Sequence, residues 1–225
     1  MGVGVHPGKL EEPLRHAGRS TYNHAVAFGS LSIVATAALV PLVLVGHVLL
    51  GVTYTVGTIL ERGTPHTARE AVGLFLTGMR RGGRDGLALT AVLFGLTLIL
   101  AGNLAVLSAP ETGPVAGSVV LASTLLVGAC AASVVHLVVL LAWNQPLAES
   151  VYDAAVLAVL NPLYTLLQAL VVVSCLVLGA LTLFVGWLVV GFAFTAAFVA
   201  LATDRLYEEQ TGSRPLRAIG THSAG

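Results

Sequence analysis

Few side chains able to do chemistry lie within the long apolar stretches of this sequence. They are His47, Asn103, His136 and Gln168, and Asn161 lies near the edge of a further stretch. The simplest interpretation of each histidine is a neutral imidazole hydrogen-bonded to a helix carbonyl. The alternative pairs His47 with His136 as a proton or metal site, since imidazole titrates near neutral pH and is a common zinc ligand.

Motifs typical of enzymes are missing from the sequence. Neither HExxH, which holds a catalytic zinc, nor GxSxG, which presents an activated serine, occurs. Glu149 and Asp153 are four residues apart and can share a helix face, but no His, Lys or Arg lies near them. We interpret them as solvated carboxylates. We therefore predict no catalytic residue, no metal or cofactor, and no enzymatic activity.

The composition predicts an integral membrane protein. Of the 225 residues, 56% are hydrophobic and 10% are charged, whereas about a quarter of the residues in a soluble domain are charged. The net charge is zero, which indicates no nucleic-acid partner. We expect a polar N-terminal tail over 1–21, one transmembrane helical domain over 22–204, and a polar C-terminal tail over 205–225.

Two of the apolar blocks are too long for one span. Residues 25–60 contain no charged side chain, and as one helix they would be about 54 Å long, against a hydrocarbon core of about 30 Å. Pro41 predicts a break, because proline removes a helical donor, and Gly46 follows it. The resulting fold class is all-α, a polytopic membrane bundle of three hairpins. Its six predicted spans cover about 22–40, 43–61, 86–108, 115–143, 162–181 and 184–203.

The distribution of positive charge predicts the orientation of these spans. All eleven Lys and Arg residues lie before the first apolar block, between the first and second, or after the last. Six spans place all three groups on one side, which is cytoplasmic by the positive-inside rule. We expect a multi-pass protein of the cell membrane with both termini in the cytoplasm. A five-span chain with its N-terminus outside stays open, because Glu11 and Glu12 dilute the N-terminal charge.

A first interfacial amphipathic helix is predicted over about 66–81. Thr67 and Glu70 have the spacing of a capping box at its start. One helical face is apolar and consists of Val72, Phe75, Leu76 and Met79. Four arginines on or just after this helix are predicted to contact anionic headgroups of the inner leaflet, or alternatively a partner protein. They are Arg69, Arg80, Arg81 and Arg84.

A second interfacial helix is predicted over about 146–160. Pro146 lies in its first turn, where a missing backbone N–H does no harm. Asn161 and Pro162 follow, and we interpret this pair as a helix break at the membrane interface. The alternative is that Asn161 contacts a substrate.

Three short motifs occur in an order and spacing that resemble a known family. They are VPLVLVG at 40–46, FLTGMR at 75–80, and AAVLAVLNPLYTL at 154–166. Together they resemble the YesL-like family of bacterial integral membrane proteins, over about residues 20–208. The resemblance implies a protein without an assigned biochemical activity. The family is often associated with carbohydrate uptake genes, so the resemblance also implies an accessory or transport-linked role.

Two functions follow as hypotheses. The first is a non-enzymatic accessory component of a transport system, for carbohydrate by the resemblance, which contacts transporter subunits or a second copy of itself through closely packed helices. The second is a small transporter or channel with polar side chains along a midplane path. The second lacks the ionisable group that coupled transport commonly holds within the membrane. The two differ in whether Asn103, His136 and Gln168 converge on a wet cavity or lie among packed helices.

Overall fold

In a computed structural model of the chain, the residues described are 10–39, 41–62, 67–109, 113–143, 145–181 and 191–212. Within these ranges the regular secondary structure is entirely helical. The helices, in chain order, are α1 Glu11–Asn23, α2 Ala25–Ala38, α3 Val45–Arg62, α4 Ala68–Leu107, α5 Pro114–Ala142, α6 Leu147–Leu160, α7 Pro162–Leu181 and α8 Phe192–Thr211, and a 3₁₀ turn over Leu42–Leu44 precedes α3.

Three helical segments are long and apolar enough to cross a membrane. They are Leu42–Arg62, Ala68–Leu107 and Pro114–Ala142. Helices α6 and α7 add a fourth if they count as one span, although they are bent by 105° at the break between them. Helix α2 has 14 residues and is about 21 Å long, short of a bilayer core. The predicted all-helical class is confirmed, whereas six spans remain a prediction.

The last predicted span lies partly outside the described residues, which omit 182–190. Helix α8 begins at Phe192 and runs to Thr211, beyond the predicted end of that span at 203. Part of each predicted tail is therefore helical. Helix α1 packs beside α8, where Glu12 forms an ion pair with Arg205.

Helix α3 is the centre of the bundle. In its most apolar stretch 67% of the residues are buried, against 6% in that of α4. Small residues let α3 and the first half of α4 pack closely, because a Cβ atom added to Gly78 would lie 2.9 Å from the Cα of Gly51 and from the Cβ of Tyr54. Helix α3 is thus a core helix, whereas most of the second half of α4 is exposed.

The predicted interfacial helix over 66–81 and the predicted span over 86–108 form one kinked helix, α4. Thr67 caps its start as predicted, because its hydroxyl accepts a hydrogen bond from the Glu70 N–H at 3.3 Å. Its buried face consists of Ala71, Phe75, Gly78 and Gly82. Of the predicted apolar face, Phe75 is buried and Met79 packs against Gly51, whereas Leu76 is exposed.

The kink of α4 is at Gly83, whose φ of 38° and ψ of −120° are not helical. This region of backbone conformation is strained for residues with a Cβ. We expect Gly83→Ala to destabilise the protein by about 1–3 kcal/mol, measured as a shift of the detergent-induced unfolding midpoint. Gly73→Ala is the matched control, since a Cβ at this helical position meets no atom within 4 Å. Equal stability of the two variants would show that a Cβ at position 83 causes no backbone strain.

The remainder of α4 and the first half of α5 form an exposed pair of helices, which we call the apolar hairpin (residues 91–107 and 114–126). Its large exposed side chains include Phe94, Leu98, Leu104, Val119 and Leu125. Asn103 joins its two helices by donating from Nδ2 to the hydroxyls of Ser123 and Thr124, at 3.2 Å each. A surface of this kind favours lipid or another protein over water.

Candidate functional site

A buried polar cluster joins three helices at the centre of the protein. His136 of α5 lies between two hydroxyls, with Nδ1 3.0 Å from Thr203 Oγ1 on α8 and Nε2 3.1 Å from Thr165 Oγ1 on α7. Gln168 of α7 donates from Nε2 to the same Thr203 hydroxyl at 3.3 Å and to the Val199 carbonyl at 3.4 Å. His136, Thr165, Gln168 and Thr203 are all buried. We call these four residues the polar cluster.

The two threonines satisfy the imidazole of His136. A neutral imidazole has one donor and one acceptor nitrogen, and a hydroxyl can act as either partner. Either tautomer therefore has a partner at each ring nitrogen. The partners are hydroxyls, not the helix carbonyl that we predicted. Both nitrogens are occupied, so a metal ion could bind His136 only at the cost of one of these hydrogen bonds.

Gln168 is only half satisfied. Its side chain is buried, and Oε1 has no hydrogen-bond partner among the described residues. An unpaired acceptor in a buried site is costly, so such an atom marks a place for water or a ligand group. Tyr164, one turn earlier on α7, adds a further contact between α7 and α8, because its hydroxyl donates to the Ala202 carbonyl at 3.1 Å. The polar cluster can thus hold α5, α7 and α8 together and still offers one acceptor.

The bend between α6 and α7 brings Thr165 and Gln168 onto α8. Asn161 lies at the break, and its Nδ2 donates to the Leu157 carbonyl at 3.4 Å. Pro162 is the first residue of α7, where its missing N–H costs nothing. The break predicted for this pair is present, and Asn161 acts as a cap of α6. Sequence reasoning missed Thr165 and Thr203, although Thr165 and Gln168 have the i, i+3 spacing of one helix face.

His47 occupies a separate site beside the kink of α4. Its Nε2 lies 2.9 Å from the carbonyl oxygen of Gly83, a helix carbonyl of the kind we predicted. Nδ1 is buried and has no partner in the part of the chain that the structure describes. The ring contacts Gly86, where an added Cβ would lie 2.8 Å from it. His47 and His136 thus have different partners. Among the described residues, no group of three or more His, Cys, Asp or Glu side chains could hold a metal ion.

The predicted helix break at Pro41 is present and separates α2 from α3. Helix α2 stops at Ala38, Pro41 is extended, and the 3₁₀ turn leads into α3. Gly46 then donates its N–H to Thr90 Oγ1 on α4 at 2.9 Å, and Thr90 lies 3.2 Å from the Val43 carbonyl. This contact fixes the start of α3 to α4.

The four arginines predicted at the inner face are all exposed on α4. Arg81 differs from Arg69, Arg80 and Arg84 because its guanidinium lies 5.0 Å from the centre of the Tyr54 ring, a cation–π contact. Arg81 also lines a cavity.

Two cavities lie near the polar ends of the helices. The larger, of about 410 Å³, lies between α1 and α8 and is lined by charged residues that include Glu12 and Arg205. The smaller, of about 170 Å³, lies between α3, α4 and the end of α5. Neither is lined by His136 or Gln168, and Asn103 belongs to the apolar hairpin. Of the three polar residues predicted for a midplane path, His136 and Gln168 lie together in the polar cluster, whereas Asn103 lies apart from them in the apolar hairpin.

The fold and the site define an all-helical protein, with three or four segments long and apolar enough to cross a membrane and a packed polar cluster at its centre. Comparison with known proteins adds no closer assignment, since no family model, curated protein or solved structure matches the chain. The resemblance to the YesL-like family stays a prediction.

Proposed function

We infer that this chain is a non-enzymatic membrane protein that accompanies a transport system and contacts it sideways through the apolar hairpin. The observation that carries this proposal is the exposure of the hairpin. In the most apolar stretch of α4, only 6% of the residues are buried. Lipid covers such a surface in a protein that acts alone. A partner helix can cover it equally well, because lipid tails are as apolar as leucine and association depends on close packing.

The hairpin has features suited to a helical partner. Gly95 and Gly102 lie on α4, and a Cβ at either would meet no atom within 4 Å. Open glycines on an apolar helix let another helix approach closely. The hydrogen bonds of Asn103 keep the two helices of the hairpin together, so a partner meets one preformed surface. A second copy of this chain is an alternative partner.

The topology that accompanies this proposal has six spans and cytoplasmic termini in the cell membrane. The ion pair between Glu12 of α1 and Arg205 of α8 supports it, because two segments predicted on the same side lie together. That the partner handles carbohydrate rests on the resemblance alone. The absence of HExxH and GxSxG from the sequence supports a role other than catalysis.

Site-specific photocrosslinking in native membranes tests the lateral contact. A photoreactive amino acid replaces Leu98 of the hairpin or Leu170 of α7, two leucines that are each 59% exposed. We expect Leu98 to crosslink to a transporter subunit, identified by mass spectrometry, and Leu170 to crosslink to lipid. Lipid adducts alone at both positions would overturn the accessory role. A crosslink to a second copy would assign the hairpin to self-association instead.

A small transporter is the second candidate function. It is favoured by the convergence of His136 and Gln168 on Thr203 and by the unpaired Oε1 of Gln168. Substrate sites in transporters are built near the midplane from polar groups on several helices. Transport of radiolabelled sugars into liposomes that contain the purified protein alone would support this candidate over the accessory role.

A further inference from the structure

The smaller cavity lies where α5 leaves its apolar stretch. Its volume is about 170 Å³, and its lining combines apolar residues from α3 and α5 with polar ones. The polar lining residues are Tyr54, Arg81, Asp85 and Gln145. The end of α5 at Ala142 and the arginines of α4 lie on the side that we predict to be cytoplasmic. The cavity is therefore at the height of lipid headgroups in the predicted topology.

The cavity contains one cation and one anion that do not neutralise each other. Arg81 stacks on the Tyr54 ring at 5.0 Å, and Asp85 follows it by four residues across the kink at Gly83. Neither side chain forms an ion pair within the described part of the chain. A stacked guanidinium keeps its N–H donors for an anion, and phosphate is an anion whose oxygens suit it.

Gln145 adds a hydrogen-bond acceptor whose orientation is fixed. Its Nε2 donates to the Tyr207 hydroxyl at 3.4 Å, and this hydroxyl donates to Asp153 Oδ2 at 3.3 Å. This chain of donors assigns the nitrogen of the amide to Tyr207 and leaves Oε1 as the free end. Oε1 is buried and has no partner within the described ranges. Gln145 lines the cavity, so a donor bound there lies next to this side chain.

From these groups we propose that the cavity binds a zwitterion in which a phosphate is joined to a primary ammonium. The phosphate meets Arg81, and the ammonium donates to Asp85 and to Gln145 Oε1. Two sources carry this chemistry: the headgroup of phosphatidylethanolamine and soluble phosphoethanolamine. Phosphatidylcholine has the same charges, but its trimethylammonium group has no N–H to donate. The proposal does not depend on the accessory function.

Native mass spectrometry of the full chain tests the proposal. The protein is incubated with phosphatidylethanolamine and phosphatidylcholine of the same acyl chains, and the bound adducts are counted. We expect the wild type to prefer phosphatidylethanolamine by about tenfold, the contribution of one charge-assisted hydrogen bond. Gln145→Leu should reduce this preference to about twofold or less. Arg81→Gln should weaken the binding of both lipids, because both contain the phosphate, and Arg80→Gln should leave the preference unchanged. Arg80 is the matched control because it is the adjacent exposed arginine and does not line the cavity.

The outcomes separate the alternatives. Equal retention of the two lipids by the wild type, or an equal loss in Arg80→Gln, would overturn the proposal, since either result indicates a general charge effect. If soluble phosphoethanolamine displaces the lipid from the wild type but not from Gln145→Leu, the site is supported and the soluble compound is identified as its ligand. Failure of the soluble compound to displace the lipid, with the variant effects as expected, would identify the lipid. Gln145→Leu keeps the test open if Arg81→Gln does not fold.

Discussion

Replacing Gly46 with alanine should destabilise this protein strongly. A Cβ at Gly46 would clash with the carbonyl oxygen of Gly86 and would lie 2.8 Å from Thr90 Oγ1 and 2.9 Å from the Thr90 nitrogen. Two of these three atoms belong to the backbone of α4, so no rotamer change relieves the clash. Helix α3 would have to move away from α4, and the Gly46 N–H would lose its bond to Thr90.

We expect Gly46→Ala to lower the free energy of unfolding by about 3 kcal/mol or more, at or above the upper end of ordinary overpacking. The measurement is the midpoint of SDS-induced unfolding in mixed micelles, followed by circular dichroism. Gly95→Ala is the matched control, because Gly95 lies in a helix and a Cβ there meets nothing within 4 Å. It should be neutral or slightly stabilising, since alanine favours helix. A small shift for Gly46→Ala would mean that α3 and α4 are not held by this contact.

Local signals in the sequence predicted the helix breaks and caps well. Pro41 and Pro162 act through the covalent geometry of proline, and Thr67 caps through a hydroxyl three residues from its partner. None of these features needs information from elsewhere in the chain. The all-helical class likewise followed from composition, because long apolar runs favour helices that satisfy their own backbone groups.

Long-range packing could not be predicted in the same way. The pattern of α4 placed Phe75 and Met79 on the packed face, where they lie, but it also placed the exposed Leu76 there and omitted Ala71, Gly78 and Gly82. The choice depends on the glycines of α3, such as Gly51, which a single-helix analysis ignores. The kink at Gly83 also has a distant partner, His47, which hydrogen-bonds its carbonyl.

The candidate site was predicted only in part for the same reason. His136 and Gln168 were identified as rare polar residues in apolar stretches, but their partner Thr203 lies 67 residues from His136 in the sequence. Threonine is common in membrane helices, where it often bonds its own helix, as Thr97 does to the Leu93 carbonyl. A threonine that bonds another helix therefore carries no distinct sequence signal.

Replacing His136 with phenylalanine should also destabilise the fold strongly. The change removes the partner of Thr165 Oγ1 and one of the two partners of Thr203 Oγ1, which keeps its bond from Gln168 Nε2, in a buried site. Hydrogen bonds between membrane helices contribute about 0.6 kcal/mol on average and up to about 1.7 kcal/mol each. The loss of two such bonds, with the buried Thr165 hydroxyl left without its partner, should cost about 1–3 kcal/mol in the free energy of SDS-induced unfolding.

Thr97→Val is the control for His136→Phe. It removes a hydroxyl that is exposed and bonds only the Leu93 carbonyl of its own helix, so its effect should stay within about 0.5 kcal/mol. Equal effects of Thr97→Val and His136→Phe would show that the polar cluster does not hold α5, α7 and α8 together.

Gln168→Met turns the same measurement into a test of function. Methionine has a similar length, removes the two long hydrogen bonds from Nε2, and also removes the buried unpaired Oε1. In a dry, packed cluster these losses and gains offset each other, so we expect a change within about 1 kcal/mol. In a wet cluster Oε1 is hydrogen-bonded to water, nothing offsets its removal, and the cost should approach that of His136→Phe. A near-neutral Gln168→Met would thus support the packed bundle of an accessory protein, whereas a large cost would support a polar path through the centre of a transporter.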